Sequence, residues 1–307
     1  MRIIGNIYKV DIHNKLIAIK AYKKIDYFYL QNSQMNVFKR YLYEGIYIDL
    51  EYDEQKKFLK KGIQAYVINY INQIYSMSLY RKIKYFDKNE INNSLSKFLS
   101  SLGNVMFLDL EMTMPSYGFH GKEFQAEIVQ AGYILIDNNG EEICRYSNYI
   151  KPVVHPELSK RVLKFLNIEY SSFYSKAIEY SSFYEEFSEV ISLYNPSIIV
   201  YGKNDSITLN SSYIINNVEP LTNKTRFVNL CKLIKNYYNL RNDAGLFKLY
   251  QTYYENDDLQ IHDAFNDCYV TKEVFQAFKN DVSHKTNNYE KIRKALEPTK
   301  WFVGFYI

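Results

Sequence analysis

Cysteine, proline and long apolar runs are all scarce in this chain of 307 residues. The three cysteines, Cys144, Cys231 and Cys268, are widely spaced and include no Cys-x-x-Cys pair, which argues against a zinc knuckle and a disulfide framework. No run of about 18 uninterrupted apolar residues occurs, so neither a membrane-spanning helix nor a membrane partner is expected. The first residues lack the features of a signal peptide, and a cytoplasmic location is therefore the default expectation.

Charge is distributed unevenly along the chain. Residues 1–100 contain 17 basic and 9 acidic residues, a balance of +8, whereas residues 101–307 contain 21 and 25, a balance of −4. A basic segment beside an acidic one fits a nucleic-acid-binding domain joined to a metal site that is built from carboxylates. A scaffold or dimerisation domain whose lysines simply face water would give the same count. The 32 tyrosines do not decide between these interpretations, because they are first of all typical of an AT-rich genome.

Residues 1–86 are predicted to form a separate, smaller β-rich domain. Four segments have the pattern of short strands: Ile3–Val10, Lys15–Ala21, Tyr27–Leu30 and Gly45–Leu50. Closely spaced strands with aromatic and basic residues fit a small barrel of the OB or SH3-like kind. Residues 54–74 are interpreted instead as a helix interrupted near Gly62. If this domain binds nucleic acid, tyrosines or Phe28 would stack on bases, and lysines would follow the phosphates: Lys9, Lys20, Lys23 and Lys24.

The pattern changes after residue 86. Residues 87–103 are predicted to form a helical linker. Residues 104–280 begin with an apolar run and a strong hairpin, and then alternate between strands and helices, which predicts an α/β domain with a mixed sheet and helices on both faces. Residues 281–307 are assigned to a carboxy-terminal tail, whose apolar end from Trp301 is expected to dock on the body.

Acidic side chains lie at the edges of three apolar runs. Asp109 and Glu111 end the first run, and Asp205 follows the second. His262 and Asp267 lie at the third. Because side chains two apart on a strand point to the same face, Asp109 and Glu111 can reach the same metal ions. Carboxylates are the ligands that hard divalent cations prefer, and two such ions about 4 Å apart support displacement at phosphorus. With a histidine as base for the attacking water, these residues predict a nuclease.

These segments resemble the motifs of a known family. Residues 107–115, Phe-Leu-Asp-Leu-Glu-Met-Thr-Met-Pro, strongly resemble the first motif of DnaQ-like, DEDDh-type 3′–5′ exonucleases, and the Thr-Met-Pro ending is most similar to the KapD-type bacterial exonucleases associated with sporulation control. Residues 127–132 resemble the second-strand signature of the family, and residues 199–205 resemble its second motif. The spacing His262-x4-Asp267 matches the third motif. The resemblance runs in family order from about residue 104 to residue 278.

The resemblance implies a ribonuclease H-like fold, an activity and a set of site residues. Two Mg²⁺ or Mn²⁺ ions would be held by four carboxylates, and His262 would deprotonate the attacking water. Thr113 and Met114 would contact the terminal nucleoside, and the products would be nucleoside 5′-monophosphates released from single-stranded RNA or DNA. The carboxylates that match the family's ligands are Asp109, Glu111, Asp205 and Asp267.

Two departures and several alternatives accompany this interpretation. Met114-Pro115 stands where many members have glycine after the threonine, and Asn266 precedes the last acid where many members have aspartate or leucine. Neither change removes a metal ligand, but both leave the substrate preference open. Asp205 could merely cap the helix that follows it, whereas Asp263 is expected to cap the helix of the third motif. The alternative functions are a non-catalytic nucleic-acid-binding or regulatory protein and a specialised RNA trimmer or oligoribonuclease; the sequence does not identify protein partners.

Overall fold

The computed structural model describes residues 1–121, 124–238, 240, 242–256 and 263–296. The chain forms two compact units, Met1–Leu95 and Ser96–Ile307. Among the described residues, no helix has both the length and the apolar character needed to cross a membrane.

The first unit is built around six strands. These are β1 (Arg2–Asp11), β2 (Leu16–Ala21), β3 (Lys24–Tyr29), β4 (Tyr47–Lys60), β5 (Ile63–Met77) and β6 (Lys82–Asp87). Helix α1 (Asn32–Phe38) and a 3-10 turn (Lys39–Tyr41) connect β3 to β4. The sheet order is β3-β2-β1-β4-β5-β6, and β3 also pairs in parallel with β5, so the first five strands close into a barrel. The β-rich barrel predicted from the sequence is confirmed, and this strand order, with a helix between the third and fourth strands, is that of the OB kind, one of the two kinds left open.

Alternating residues of the barrel strands fill its interior. Ile17, Ile19 and Phe28 are fully buried in this core, so the expectation that Phe28 stacks on bases is wrong. Helix α1 packs Met35 against the same core, and the Gln34 side-chain amide donates to the Ile68 and Asn69 carbonyls at 3.1 and 3.0 Å. The helix therefore belongs to the barrel and closes part of its core.

The helix expected over residues 54–74 is wrong. These residues form the facing parts of β4 and β5, which are joined by a tight turn at Lys61 and Gly62 with φ of 47° and 76°. Two consecutive residues with positive φ are typical of the type I′ turn of a hairpin. The register shifts three times between β4 and β5. Each shift breaks the apolar alternation by which a strand is recognised.

The second unit contains a five-stranded mixed sheet. Its strands are β7 (Val105–Met112), β8 (Ile128–Ile136), β9 (Glu142–Tyr149), β10 (Ser197–Val200) and β11 (Phe227–Asn229). The order is β11-β10-β7-β8-β9; β7, β8 and β9 are antiparallel, whereas β10 is parallel to β7 and β11 is parallel to β10. The predicted hairpin of β8 and β9 is confirmed, and Gly140 in its turn has a φ of 91°.

Nine further helices are present in the described residues. They are α2 (Lys88–Ser100), α3 (Lys160–Phe165), α4 (Tyr170–Lys176), α5 (Tyr180–Tyr194), α6 (Asn204–Ile215), α7 (Leu230–Tyr237), α8 (Leu246–Tyr254), α9 (Ala264–Val282) and α10 (Tyr289–Leu296). The division between the two units falls within α2, whose first turn is capped by the Asp87 carboxylate through the backbone N–H of Asn89 at 3.0 Å. The apolar end expected from Trp301 to dock on the body lies outside the described residues.

Helices cover both faces of the second sheet, as the sequence predicted. Met106 and Leu108 of β7 share a core with Phe183 of α5 and with residues of α6. The residue between them, Phe107, points to the opposite face, where its ring lies 5.4 Å from that of Phe275 in α9. The mixed sheet predicted for this domain is confirmed. Asp109 and Glu111 have the same parity as Phe107, so they lie on the α9 face.

Candidate active site

Three carboxylates meet where β7 ends against the start of α9. Asp109 and Glu111 come from the last half of β7, and Asp267 comes from the first turn of α9. One ligand oxygen of each lies within 4.8 Å of the others. The set contains oxygen donors alone, which is the donor set that Mg²⁺ and Mn²⁺ prefer.

Asp205 lies beside this group, in the first turn of α6 directly after β10. Its Oδ1 accepts the backbone N–H of Leu110, the residue between Asp109 and Glu111, at 3.2 Å. The N-cap of α6 is Lys203, which makes no side-chain capping bond. Asp205 is therefore buried and bonded to β7, and the N-cap position of α6 is occupied by another residue.

Burial and mutual repulsion raise the pKa values of the clustered acids. The pKa of Asp109 lies well above its ordinary value, first because the carboxyl is buried and then because Asp205, Asp267 and Glu111 are close. Burial, and then the charges of Asp267, Asp205 and Asp263, raise the pKa of Glu111 to about 8. Burial raises the pKa of Asp205 to about 6, against the lowering effect of its bond from Leu110. The cluster therefore favours positive charge at this position, supplied by protons or by cations.

A buried glutamine ties the start of α9 to the sheet. Asp263 caps α9 as the sequence predicted, with its side chain accepting the backbone N–H of Asn266 at 3.0 Å. Its other carboxylate oxygen accepts from the side-chain amide of Gln130 at 2.6 Å, and the Gln130 amide oxygen accepts the backbone N–H of Ala264 at 3.4 Å. Gln130 is opposite Glu111 in the strand register. Sequence reasoning did not single out Gln130, although it lies two residues before Gly132 and therefore on the same face.

The two residues assigned by resemblance to the terminal nucleoside lie directly after β7. The Thr113 backbone N–H donates to the Glu127 carbonyl at 2.8 Å, and its hydroxyl accepts the Glu127 N–H at 2.9 Å. The Met114 carbonyl accepts from the Ser159 hydroxyl at 3.1 Å, and its side chain packs against the cluster that contains Leu158. His262, the predicted base, lies outside the described residues.

The buried Glu127 carboxylate holds the loop that follows β9. It accepts the backbone N–H groups of Val153 and His155 at 2.6 Å each and that of Val154 at 2.9 Å. Because Glu127 also pairs with Thr113, this loop is fixed beside the end of β7.

Comparison with known proteins agrees with this geometry. A family model described as Exonuclease, of the RNase T type, matches residues 106–275. The relative named Probable 3′-5′ exonuclease KapD, from Bacillus subtilis (strain 168), is 26% identical over 181 residues, which make up 59% of this chain and 87% of the relative.

Two solved structures share the fold, each with a TM-score of 0.50. One is the nuclease domain of 3′hExo, a DEDDh family member, bound to rAMP; it is 16% identical, and the match covers 59% of this chain and 94% of that domain. The other is a full-length 3′-exonuclease that is 15% identical, with 60% and 83% covered.

The family model covers more than half of the chain. The chain therefore belongs to this exonuclease family and is a 3′–5′ exonuclease of the DnaQ-like class. Members of the family generally use divalent metal ions, and the acidic cluster is compatible with that use. The family and the enzyme class predicted from the sequence are thus confirmed.

Proposed function

We propose that this exonuclease removes nucleotides from the free 3′ end of single-stranded nucleic acid by a two-metal mechanism. Four carboxylates would hold two Mg²⁺ or Mn²⁺ ions: Asp109, Glu111, Asp205 and Asp267. The observation that carries the proposal is the approach of Asp109, Glu111 and Asp267 within 4.8 Å of one another, with Asp205 bonded to the intervening strand. Like charges do not gather in a buried site without something that neutralises them.

The divalent ions, when bound, would neutralise the charge that develops on the phosphate and its leaving oxygen. The carboxylates that would hold these ions are already fixed by the sheet. Asp109 and Glu111 are held by the ladder between β7 and β8, and Asp205 is held by Leu110. Their positions therefore need little reorganisation when the ions bind.

His262 is proposed as the general base that takes the proton from the attacking water. The residue after it, Asp263, is held by Gln130 and by its own helix, which supports a defined position for the chain where α9 begins. A neutral imidazole accepts a proton near neutral pH, as this step requires. The product would be a nucleoside 5′-monophosphate, the class of molecule that the related nuclease domain of 3′hExo binds as rAMP.

Thr113 and Met114 are proposed to contact the terminal nucleoside. Both residues directly follow the carboxylate strand, and their backbone groups are fixed by Glu127 and Ser159. The Thr113 hydroxyl already accepts a bond from the Glu127 N–H, so its remaining hydrogen is the polar group that it could offer to a nucleoside.

The test is hydrolysis of matched single-stranded RNA and DNA oligonucleotides, labelled at either end, with Mg²⁺, with Mn²⁺ and with EDTA. Stepwise shortening from the 3′ end that requires a divalent ion is expected. Asp109→Asn should abolish the activity and also weaken Mn²⁺ binding measured by calorimetry. Asp243→Asn is the matched control, because Asp243 is an exposed aspartate paired with Lys235. Tight strand binding without hydrolysis under every metal condition would instead support a non-catalytic binding protein.

A further inference from the structure

The outer side of β1, β2 and β3 carries a continuous row of side chains suited to a flexible polyanion. Because Ile17 and Ile19 point into the barrel core, Ala18 between them faces outward. Ala18 is opposite Lys9 of β1 and opposite Tyr27 of β3. This row therefore places the ammonium group of Lys9, the small side chain of Ala18 and the aromatic ring of Tyr27 side by side on three strands.

The neighbouring rows extend this surface. Leu16 is opposite Tyr29, and Lys20 is opposite Ile25. The Tyr29 ring is stacked on Phe58 of β4, with 4.3 Å between ring centroids. We call the outward side chains of these rows the barrel face, and its members are Lys9, Leu16, Ala18, Lys20, Ile25, Tyr27 and Tyr29, with Phe58 beside them.

Small and aliphatic side chains lie between the larger members of the barrel face. Leu16 and Ala18 are only 3% and 2% exposed although they are on the outer side of the barrel, so the larger members of the barrel face are the ones that a ligand can contact. Tyr27 and Tyr29 are half-buried and Lys9 and Lys20 are exposed. The Tyr29 ring is already held against Phe58, so it loses little conformational freedom when a planar group stacks on it.

The charge pattern distinguishes this face from the rest of the barrel. Neither Lys9 nor Lys20 takes part in an ion pair among the described residues of this unit. The one acid in the neighbouring row is Asp11, whose pKa is lowered first by the two bonds that it accepts from Asn14 and then by the nearby cations Lys61 and His13.

Carboxylates concentrate instead at the other end of the sheet. Asp49 of β4 pairs with Arg2 at 2.6 Å, and Asp87 at the end of β6 pairs with Lys84 at 2.8 Å. Glu51 of β4 accepts bonds from the side chains of Tyr70 and Asn72 of β5. Those carboxylates are paired with Arg2 and Lys84, whereas no carboxylate of the described residues pairs with Lys9 or Lys20 on the barrel face.

We propose that the barrel face binds single-stranded nucleic acid, with phosphates near Lys9 and Lys20 and bases stacked on Tyr27 and on the Tyr29–Phe58 pair. The identity of the ligand rests on the proposed function, in which the substrate is a single strand. Stacking on aromatic rings beside cationic groups tolerates any base, because every base has a π face. This surface would therefore hold the strand without reading its sequence.

The first test measures binding of a fluorescent 30-nucleotide strand to the full chain in EDTA, where hydrolysis is stopped, at several salt concentrations. Each phosphate contact contributes about 0.7 to the slope of log affinity against log salt for single strands. The double variant Lys9→Gln/Lys20→Gln should therefore lower the magnitude of that slope by about 1.4. The matched control is Lys82→Gln/Lys84→Gln, which changes the charge equally on β6 and should leave the slope unchanged.

The second test separates stacking from charge. Tyr27→Leu should weaken binding of the intact strand by about tenfold, since base stacking is typically of that strength. The variant should not weaken binding of a strand whose bases have been removed. Tyr47→Leu, on the outer side of β4 where Tyr47 stacks on Tyr75, is the control for loss of a surface ring.

An unchanged salt slope in the lysine variant, or equal loss on intact and abasic strands in Tyr27→Leu, would overturn the proposal. Cleavage of a four-nucleotide strand by the unaltered chain, measured in parallel with Mg²⁺, tests the proposed function separately. Cleavage together with an unchanged slope rejects the barrel face and leaves the nuclease assignment in place. The expected slope change and base dependence without cleavage support the barrel face and reject the catalytic proposal.

Discussion

Gly132 of β8 lies directly beneath the backbone of Ala264 at the start of α9. A Cβ added to Gly132 would meet the Ala264 carbonyl carbon at 2.6 Å and the Phe265 nitrogen at 2.7 Å. Gly132 is also opposite Asp109 in the strand register. The helix that carries Asp267 thus approaches the strand that carries Asp109 at a point where only glycine fits.

Gly132→Ala should push α9 away from the sheet and separate Asp267 from Asp109 and Glu111. We expect at least a tenfold lower kcat, because small displacements of catalytic groups are costly, and about 1–3 kcal/mol lower stability from overpacking. Initial rates on a labelled oligonucleotide and urea unfolding would measure the two effects. Gly245→Ala is the control, since its Cβ would meet nothing closer than 3.9 Å. Equal activity of Gly132→Ala and the unaltered chain would show that this close approach does not determine the position of Asp267 relative to Asp109.

Gln130→Leu should lower kcat without unfolding the protein. The substitution removes both bonds that join Gln130 to Asp263 and to the Ala264 N–H, so the start of α9 loses its tie to β8. Loss of such buried bonds costs about 1–3 kcal/mol of stability. Steady-state kinetics should show a change in kcat with a smaller change in KM. A changed KM with an unchanged kcat would mean that Gln130 serves substrate binding alone.

His262→Ala should slow hydrolysis by about 10²–10⁴-fold, the usual contribution of a positioned base. Mn²⁺ binding measured by calorimetry should stay unchanged, because the histidine is not among the proposed ligands. The rate of the unaltered enzyme should fall at acidic pH, because a protonated imidazole cannot take the proton from water. Equal single-turnover rates for variant and unaltered enzyme at neutral pH would remove His262 from the mechanism.

Without divalent ions, stability should decrease as pH rises from about 4.5 towards 8. The pKa of Glu111 is raised to about 8 in the folded chain, so between these values the folded state binds more protons than the unfolded state. Its stabilising contribution is therefore complete below the unfolded pKa and is lost as pH rises through the folded one. Urea unfolding in EDTA at pH 5.5 and 8.5 would measure this trend, and Glu111→Gln should reduce it. A pH dependence that is the same in both proteins would contradict the assignment to Glu111.

Sequence reasoning found the elements whose patterns are local. The apolar run of β7, the β8–β9 hairpin with its turn at Gly140 and the Asp263 cap each depend on residues close together in the chain. The hairpin of β4 and β5 was missed because its bulges interrupt the alternation. The bond between Gln130 and Asp263 joins residues 133 positions apart, and no local pattern predicts such a contact. Contacts of this kind exist only once the sheet and α9 have packed.

The three bonds that Glu127 accepts come from the main chain of residues 153–155. The side chains of Val153 and Val154 take no part in this attachment and are 60% and 46% exposed. Most replacements at these two positions should therefore keep the loop in place, so its surface chemistry is free to diverge. Proline is the exception, because it has no N–H to give to the carboxylate. The two positions should thus accept nearly every amino acid except proline.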